Sequence, residues 1–479
     1  MATAIDKVFD QGFCLRFRVC PELDGGAGRV WISDKTDLSI LGYVGSVLGT
    51  SPVSVRTSDT DLGARIAARF NLNADTHTSN QSGDNAEPAL EQRAIDSQVV
   101  REINNIISDC VRSRASDIHF EPRERLLACR KRVDGLLIEH TQISKAAQPE
   151  TISRIKIMAG LDIAEKRRPQ DGRIRFPIDG RTVDIRVSVI PTDFGEKAVL
   201  RLLDKQSLRL DLGELGFTQE QLAIFREGIS VSNGIILVTG PTGSGKTTTL
   251  YAALQSLKSP EMNISTVEDP IEYNLEGINQ TQVQPEIGRT FASMLRAILR
   301  QDPDIIMIGE IRDRETLDIA IQASLTGHLV LSTVHTNSAV ATITRLLDMG
   351  AEPYLLASCL KLIVAQRLVR RLCTHCQTGD LDEAYAAAAR KLGMVLGAKA
   401  QASSGCERCS RTGYQGRTAI YELLGVDNQL SQAINNGASE LEMLGLARQG
   451  SFHTMAETSS NLVNTGVTTP MEVLRELSA

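Results

Sequence analysis

The chain has 479 residues, 42% of them hydrophobic, and a formal net charge of −6. That length exceeds one hydrophobic core, so two to four domains are expected; the acidic balance excludes a global basic field for nucleic acid, though not local basic patches. No run approaches the roughly 18 apolar residues of a membrane span, and Met1 to Asp10 lacks an apolar signal core, so a cytoplasmic chain without a transmembrane segment is expected, reaching a membrane only through a partner.

The first predicted elements fall in residues 1–73, where short strand-like runs accompany one amphipathic helix marked by Leu62, Ile66 and Phe70. This stretch reads as a small separate N-terminal domain in which no chemistry stands out. Residues 74–95 are polar and poor in large apolar side chains, the composition of a flexible linker. From Asp96, Val99, Ile103, Ile106, Ile107 and Cys110 fall on one helical stripe. Strands joined by tight turns follow: Asp134-Gly135 closes one hairpin and Asp179-Gly180 another. In the second hairpin Ile174, Phe176 and Ile178 alternate against Val183, Ile185 and Val187, which puts Asp184, Arg186 and Ser188 on the opposite face. Residues 96–210 are therefore expected to form a mixed α/β domain.

Residues 211–372 alternate apolar strands (235–238, 305–308 and 329–334) with helical stretches, the pattern of an α/β core on a parallel sheet. The first strand runs into Gly240-Pro241-Thr242-Gly243-Ser244-Gly245-Lys246-Thr247, a full Walker A sequence, and a helix is predicted from Thr248 to Leu257. A strand, a Gly-rich loop and a helix N-terminus present backbone N–H groups and a favourable dipole to phosphate. Residues 240–248 are thus the candidate nucleotide-binding set, with Lys246 reaching the β- and γ-phosphates and the Thr247 hydroxyl on Mg²⁺. Binding and hydrolysis of a nucleoside triphosphate are expected.

Three further segments are candidates to complete that site. Ile264 to Glu272 is a short strand ending in Glu268, Asp269 and Glu272, turned outward by Pro270; its plainer reading is a solvated acidic loop. Asp304 to Asp313 contains an apolar strand that delivers Glu310 at its C-terminal end, where α/β sheets bind their ligands. Gly309 stands where many NTPases carry Asp, so Glu310 takes the metal-side role, and Asp304 lies at the wrong end. Gly327 to Asn337 brackets a strand with His328 and His335, of which His335 is at the C-terminal end.

Nine cysteines are present, and Cys373, Cys376, Cys406 and Cys409 form two C-x-x-C pairs separated by residues 377–405. In a reducing compartment four thiolates so paired suit Zn²⁺ in a closed structural site better than disulfides. Unrelated core cysteines or a redox pair are the alternatives, and His375 is a competing ligand. The cysteine element spans 373–409, and a helical domain, 410–479, closes the chain.

The Walker A loop, T-V-E-D-P-I-E at 266–272, G-E-I-R-D at 309–313 and G-H-L-V-L-S-T-V-H-T-N at 327–337 occur in an order similar to that of the secretion ATPase superfamily, the motors of type II secretion and of type IV pilus assembly and retraction. A-S-D-I-H-F-E-P at 115–122, I-R-V-S at 185–188, T-D-F-G-E-K-A-V-L-R at 192–201, V-A-Q-R-L-V-R at 364–370 and T-G-Y-Q-G-R-T-A-I-Y-E at 412–422 extend the resemblance over about 97–476. The resemblance implies a RecA-like P-loop NTPase core, a PAS-like second N-terminal domain, and ATP, Mg²⁺ and Zn²⁺ as ligands. It makes Glu272 the catalytic carboxylate supported by Glu268 and Asp269, Glu310 the Walker B acid, and His328 and His335 the His-box residues. Arg186 and Arg201 become arginine fingers that reach the triphosphate from the second N-terminal domain, against the alternative of salt bridges within its sheet.

By the same resemblance the chain would be a homo-hexamer, peripheral to the inner membrane through platform and docking proteins, driving pseudopilus assembly and protein export. A pilus-assembly motor is the nearest alternative. The four-cysteine element fits secretion and assembly motors, while retraction motors resemble the core without it. A nucleic-acid translocase on the same core, against which the acidic charge counts, and a non-hydrolysing structural subunit are the alternatives of other classes.

Overall fold

The computed structural model describes residues 17–24, 27–34, 53–69, 87–203 and 211–478, together with Cys14, Thr36, Leu41 and Val44. It divides into two units, Met1–Arg93 and Ala94–Ala479. In the first, β1 (Val19–Asp24) pairs antiparallel with β2 (Ala27–Ile32), and β3 (Val53–Arg56) runs parallel to β2. Helix α1 (Asp59–Arg69) adds Leu62 and Ile66, four residues apart on one face, to a small core with Val19, Cys20, Val30 and Ile32. Phe70, the third member of the expected stripe, lies outside the described residues, as do residues 74–86 of the expected linker.

Helix α2 (Glu87–Arg112) begins nine residues before the expected start at Asp96. Residues 87–95 are rich in Glu, Ala, Leu, Gln and Arg, strong helix formers whose low hydrophobicity resembles that of a linker. From it the chain enters β4 (Asp117–Pro122), β5 (Leu126–Val133), β6 (Leu136–Ser144), α3 (Gln148–Ala159), β7 (Gln170–Ile178), β8 (Arg181–Thr192) and β9 (Gly195–Leu203). These strands form one antiparallel sheet in the order β6-β5-β4-β9-β8-β7. Asp134 and Gly135 (φ 49° and 84°) and Asp179 and Gly180 (φ 47° and 76°) are both left-handed pairs, as a two-residue hairpin turn compatible with strand twist requires. A third turn, Asp193-Phe194 between the paired Thr192 and Gly195, carries no Asp-Gly pair and was not expected. One face of the sheet packs Ile118, Phe120, Ile185, Val187 and Leu200 against Ile103, Ile107 and Cys110 of α2 and Ile152 and Ile155 of α3. The other face is polar.

Beyond residue 210 come α4 (Gln219–Ile229), β10 (Gly234–Thr239), α5 (Lys246–Leu257), β11 (Ile264–Glu268), β12 (Asn279–Gln282), α6 (Phe291–Ile298), β13 (Ile305–Ile308), α7 (Arg314–Leu325), β14 (Leu329–Val334), α8 (Ala339–Asp348), α9 (Pro353–Cys359) and β15 (Leu360–Leu372). After β16 (Gln377–Thr378), α10 (Glu383–Lys391) and β17 (Ala402–Ser403), β18 (Tyr414–Gly425) returns to the same sheet. The sheet order is β12-β11-β13-β14-β10-β15-β18, parallel except for β18. Residues 414–425, read above as opening the C-terminal domain, are thus an edge strand of the core sheet, drawn in by the buried run Ala419 to Leu424. Ile235 and Leu237 of β10 belong to one apolar layer and Ile236 and Val238 to the other, so the sheet is covered on both faces and its central strands are uniformly apolar. Helices α11 (Asn428–Asn435), α12 (Glu440–Ala447), α13 (Met455–Asn464) and α14 (Pro470–Leu477) pack on the first layer, where buried Glu472 of α14 takes both Nε (3.0 Å) and Nη2 (2.6 Å) of Arg370 on β15. No helix among the described residues is long and apolar enough to cross a membrane.

Candidate functional site

Strand β10 ends at Thr239, and the next six residues turn into α5 over three glycines with positive φ: Gly240 (149°), Gly243 (83°) and Gly245 (90°). A Cβ at Gly240 would stand 2.4 Å from the Gln366 carbonyl oxygen and 2.7 Å from Ser244 Oγ, so only glycine fits. Pro241, Thr242 and Gly243 form the exposed tip, Thr247 is exposed at the helix start, and Thr248 is half-buried. Lys246 folds across the loop and donates to the carbonyls of Gly240 (2.8 Å) and Pro241 (3.1 Å). Burial pulls its pKa down to about 8, against the opposing charge of Glu310. Ser244 Oγ is buried without a protein partner, an orphaned hydroxyl inside the loop that a phosphate oxygen would satisfy.

Because β10, β11, β13 and β14 are parallel and in register, their C-terminal ends meet on one edge of the sheet. Glu310, just past β13, is held there by Arg312, which donates to Oε1, and lies with Oε2 3.4 Å from His335 Nε2. His335 and Glu310, 25 positions apart, are thus brought together as the motif reading implied. His328 is not. It sits at the other end of β14, with Nδ1 2.9 Å from the Ala323 carbonyl and 3.3 Å from Thr326 Oγ1, about 20 Å along the strand from His335. Asp304 shares that far end, where its carboxylate accepts from the Asn263 amide (2.6 Å).

The three acids after β11 have three different environments. Glu268 is buried and accepts from the Tyr251 hydroxyl, Thr266 Oγ1 (2.6 Å) and Gln280 Nε2 (3.0 Å). Its lone pairs are spent bracing α5, which carries Tyr251; burial and the Glu268 charge push that phenol well above its ordinary pKa. Asp269 is exposed and within the field of Arg312. Glu272 is half-buried and pairs with Arg186 across from the six-stranded sheet: Arg186 Nη1 lies 3.2 Å from Glu272 Oε2, and Nη2 donates to the Ile271 carbonyl at 2.6 Å.

Arg186 on β8 stands directly opposite Arg201 on β9, which in turn stands opposite Asp117 on β4. Asp117 is buried and accepts from Arg201 Nε at 3.0 Å. Sequence reading passed over Asp117, although strand alternation in S-D-I-H puts it on the polar face. Arg312 and Gln366 were also missed: Arg312 holds Glu310 from only two positions away, whereas Gln366 accepts from Thr249 Oγ1, 117 positions distant. A cavity of about 520 Å³ opens in front of Arg186, Arg201 and Ser188 and is closed on the core side by Pro270.

The four cysteine sulfurs all lie within 4.8 Å of one another, with Cys373–Cys406 at 3.9 Å, Cys376–Cys409 at 3.8 Å and Cys406–Cys409 at 3.7 Å. A disulfide needs about 2.05 Å. A tetrahedral ion with metal–sulfur bonds of about 2.3 Å puts its sulfurs about 3.8 Å apart, so the residues fit Zn²⁺. Burial opposes ionisation of Cys409, yet amide donation from Cys406 (3.1 Å) and Gly413 (3.2 Å) brings its pKa down to about 6. His375 is exposed, turns to Arg408 and stays out of the cluster.

Comparison with known proteins adds to this geometry. Residues 92–475 match the sequence model of a family described as "Type II/IV secretion system protein". "Type II secretion system protein E" of Dickeya dadantii is 52% identical over 385 residues, covering 79% of this chain and 76% of its own. "Putative type II secretion system protein E" of Escherichia coli K12 is 46% identical over 447 residues, covering 90% of each. Among solved structures, the pilus retraction motor PilT with bound ADP superposes at a TM-score of 0.53 with 26% identity, over 78% of this chain and 96% of its own. The Yersinia pseudotuberculosis ATPase DotB superposes at 0.60 with 22% identity, over 84% and 96%, a likeness of fold.

Proposed function

Since the chain belongs to the Type II/IV secretion system protein family and is an ATPase of that family, we propose that it is the motor of a type II secretion system, a ring of identical subunits that converts ATP hydrolysis into pseudopilus assembly and protein export. The observation that carries the reading is the contact of Arg186 with Glu272 and Ile271, by which the six-stranded sheet touches the acidic segment beside the Walker A loop. Secretion is preferred to pilus assembly because relatives named for type II secretion are 46–52% identical. By family likeness the ring is a hexamer that docks on inner-membrane partners from the cytoplasmic side.

In this mechanism the loop amides and Lys246 bind the β- and γ-phosphates, and Ser244 Oγ gains its missing partner. Thr247 and Glu310 would hold Mg²⁺, which supplies charge neutralisation on the phosphates. Glu272 takes the proton as water attacks the γ-phosphorus. The bond to the β–γ bridging oxygen breaks, and ADP leaves with that electron pair. Arg186 and Arg201 exchange their carboxylate partners for phosphate oxygens as charge builds there. Glu268 positions α5 from below, Asp269 supports Arg312, and His335 holds Glu310. His328 is assigned a structural role at the far end of β14 in its own chain.

Glu272→Gln in the full chain should keep ATP affinity within a few-fold while turnover with Mg-ATP falls about 10²–10⁴-fold, the usual contribution of a positioned general base. Wild-type turnover in that variant would remove the role.

We further propose that Cys373, Cys376, Cys406 and Cys409 hold one Zn²⁺ as a structural pin at the crossover from β15 to β18, whose ends pair at Leu372 and Tyr414. Metal analysis of purified protein is expected to give about one zinc per chain, and Cys406→Ser to lose it and accelerate amide exchange across residues 373–409. Protein that contains no zinc yet protects this segment would refute the assignment.

A further inference from the structure

The polar face of the six-stranded sheet presents a row of residues in cross-strand register: Arg173 on β7, Arg186 on β8, Arg201 on β9, Asp117 on β4 and Arg132 on β5. Three guanidinium groups side by side on adjacent strands repel one another unless an anion answers them. Other basic residues on this face have one. Arg175 pairs with Asp184 (3.8 Å), Arg186 with Glu272 (3.2 Å), Arg201 with Asp117 (3.0 Å), Lys197 with Glu121 (3.1 Å), Arg130 with Glu121 (2.7 Å) and Arg132 with Asp117 (3.9 Å). Arg173 makes no ion pair or hydrogen bond among the described residues, although it is exposed on the same face and lines the same cavity of about 520 Å³. Asp171, which also lines the cavity, does not pair with it.

From this we infer that Arg173 is a third phosphate-binding arginine, completing with Arg186 and Arg201 a site for the terminal phosphates of a nucleoside triphosphate. The inference rests on the clamp reading above. Adjacent strands lie about 4.8 Å apart, so the row spans about 10 Å and ends on the side away from Asp117. Arg201 and Arg186 must each give up a carboxylate before they can bind phosphate, whereas Arg173 gives up nothing. It is therefore the member whose whole attraction is available to the incoming triphosphate, and its effect falls on binding of the triphosphate as well as on turnover. A planar guanidinium suits two oxygens at once, which lysine cannot match.

The test uses the full chain with Arg173→Ala, Arg173→Lys and Arg186→Ala, and compares affinity for ADP with that for a non-hydrolysable ATP analogue. Arg173→Ala is expected to weaken the triphosphate analogue about tenfold or more while leaving ADP within twofold, and Arg173→Lys to recover part of the loss. A merely structural role would shift both nucleotides equally. If Arg186→Ala loses turnover while Arg173→Ala keeps the wild-type ratio of affinities, Arg173 is only a solvated side chain and the clamp stands without it. If Arg186→Ala and Arg173→Ala both turn over normally, the clamp reading itself falls, and this inference with it.

Discussion

Lys246→Ala is expected to abolish measurable ATP binding, weakening it at least about 100-fold, with turnover lost in consequence. Lys246 is the cation inside the Walker A loop, and its ammonium already bridges the carbonyls of Gly240 and Pro241. In the free protein its pKa is only about 8, because burial disfavours the charged form more than Glu310 favours it. Phosphate would restore the charge, so ATP binding above pH 8 should take up a proton. The sign follows directly: the charged form is lost as pH rises through about 8, so affinity falls above that value. Lys246→Ala should remove that pH dependence along with the affinity. Titration calorimetry at two pH values checks both effects, and retained nucleotide affinity in the variant would end the assignment of the loop.

The second large effect is expected from Arg186→Ala combined with Arg201→Ala. Arginines that stabilise the charge of phosphoryl transfer contribute about 10³–10⁵ in rate in other NTPases, and the double variant should lose turnover on that scale. ADP affinity should stay within about twofold, because neither side chain lies on the strand–loop–helix unit that binds the diphosphate. Lysine at both positions should restore little, since the paired forks and not the charges alone are required. Single-turnover rates measured at saturating ATP separate this loss from weakened binding.

Much of this site was legible in the sequence because its parts sit at places where local rules are strict. A Gly-rich turn between an apolar strand and a helix has few other uses, and the apolar run of β13 fixed where Glu310 would emerge. The C-x-x-C pairs foretold a cluster whose sulfurs do converge. What escaped depends on pairing between distant strands. Asp117 and Arg201 are 84 positions apart, and nothing local says that β4 lies beside β9. The isolation of Arg173 is visible only once the carboxylates facing its neighbours are known. Composition alone did not separate Glu268, Asp269 and Glu272, and only the family resemblance singled out Glu272; depth of burial separates them, with Glu268 bound by three internal donors and Asp269 in solvent. Residues 87–95 misled for the opposite reason, since a polar helix and a linker share a composition.

The central claim is that each ATP site is closed by the six-stranded sheet of its own chain, as the Arg186–Glu272 contact within one chain implies. Mixing Lys246→Ala chains with Arg186→Ala/Arg201→Ala chains, under conditions where subunits exchange, tests it most directly. No mixed assembly then contains a chain with both a working loop and a working clamp, and turnover should not exceed the sum of the two separate proteins. Recovery of a substantial fraction of wild-type turnover would mean that the arginines serve a neighbouring subunit's nucleotide, and would contradict the account.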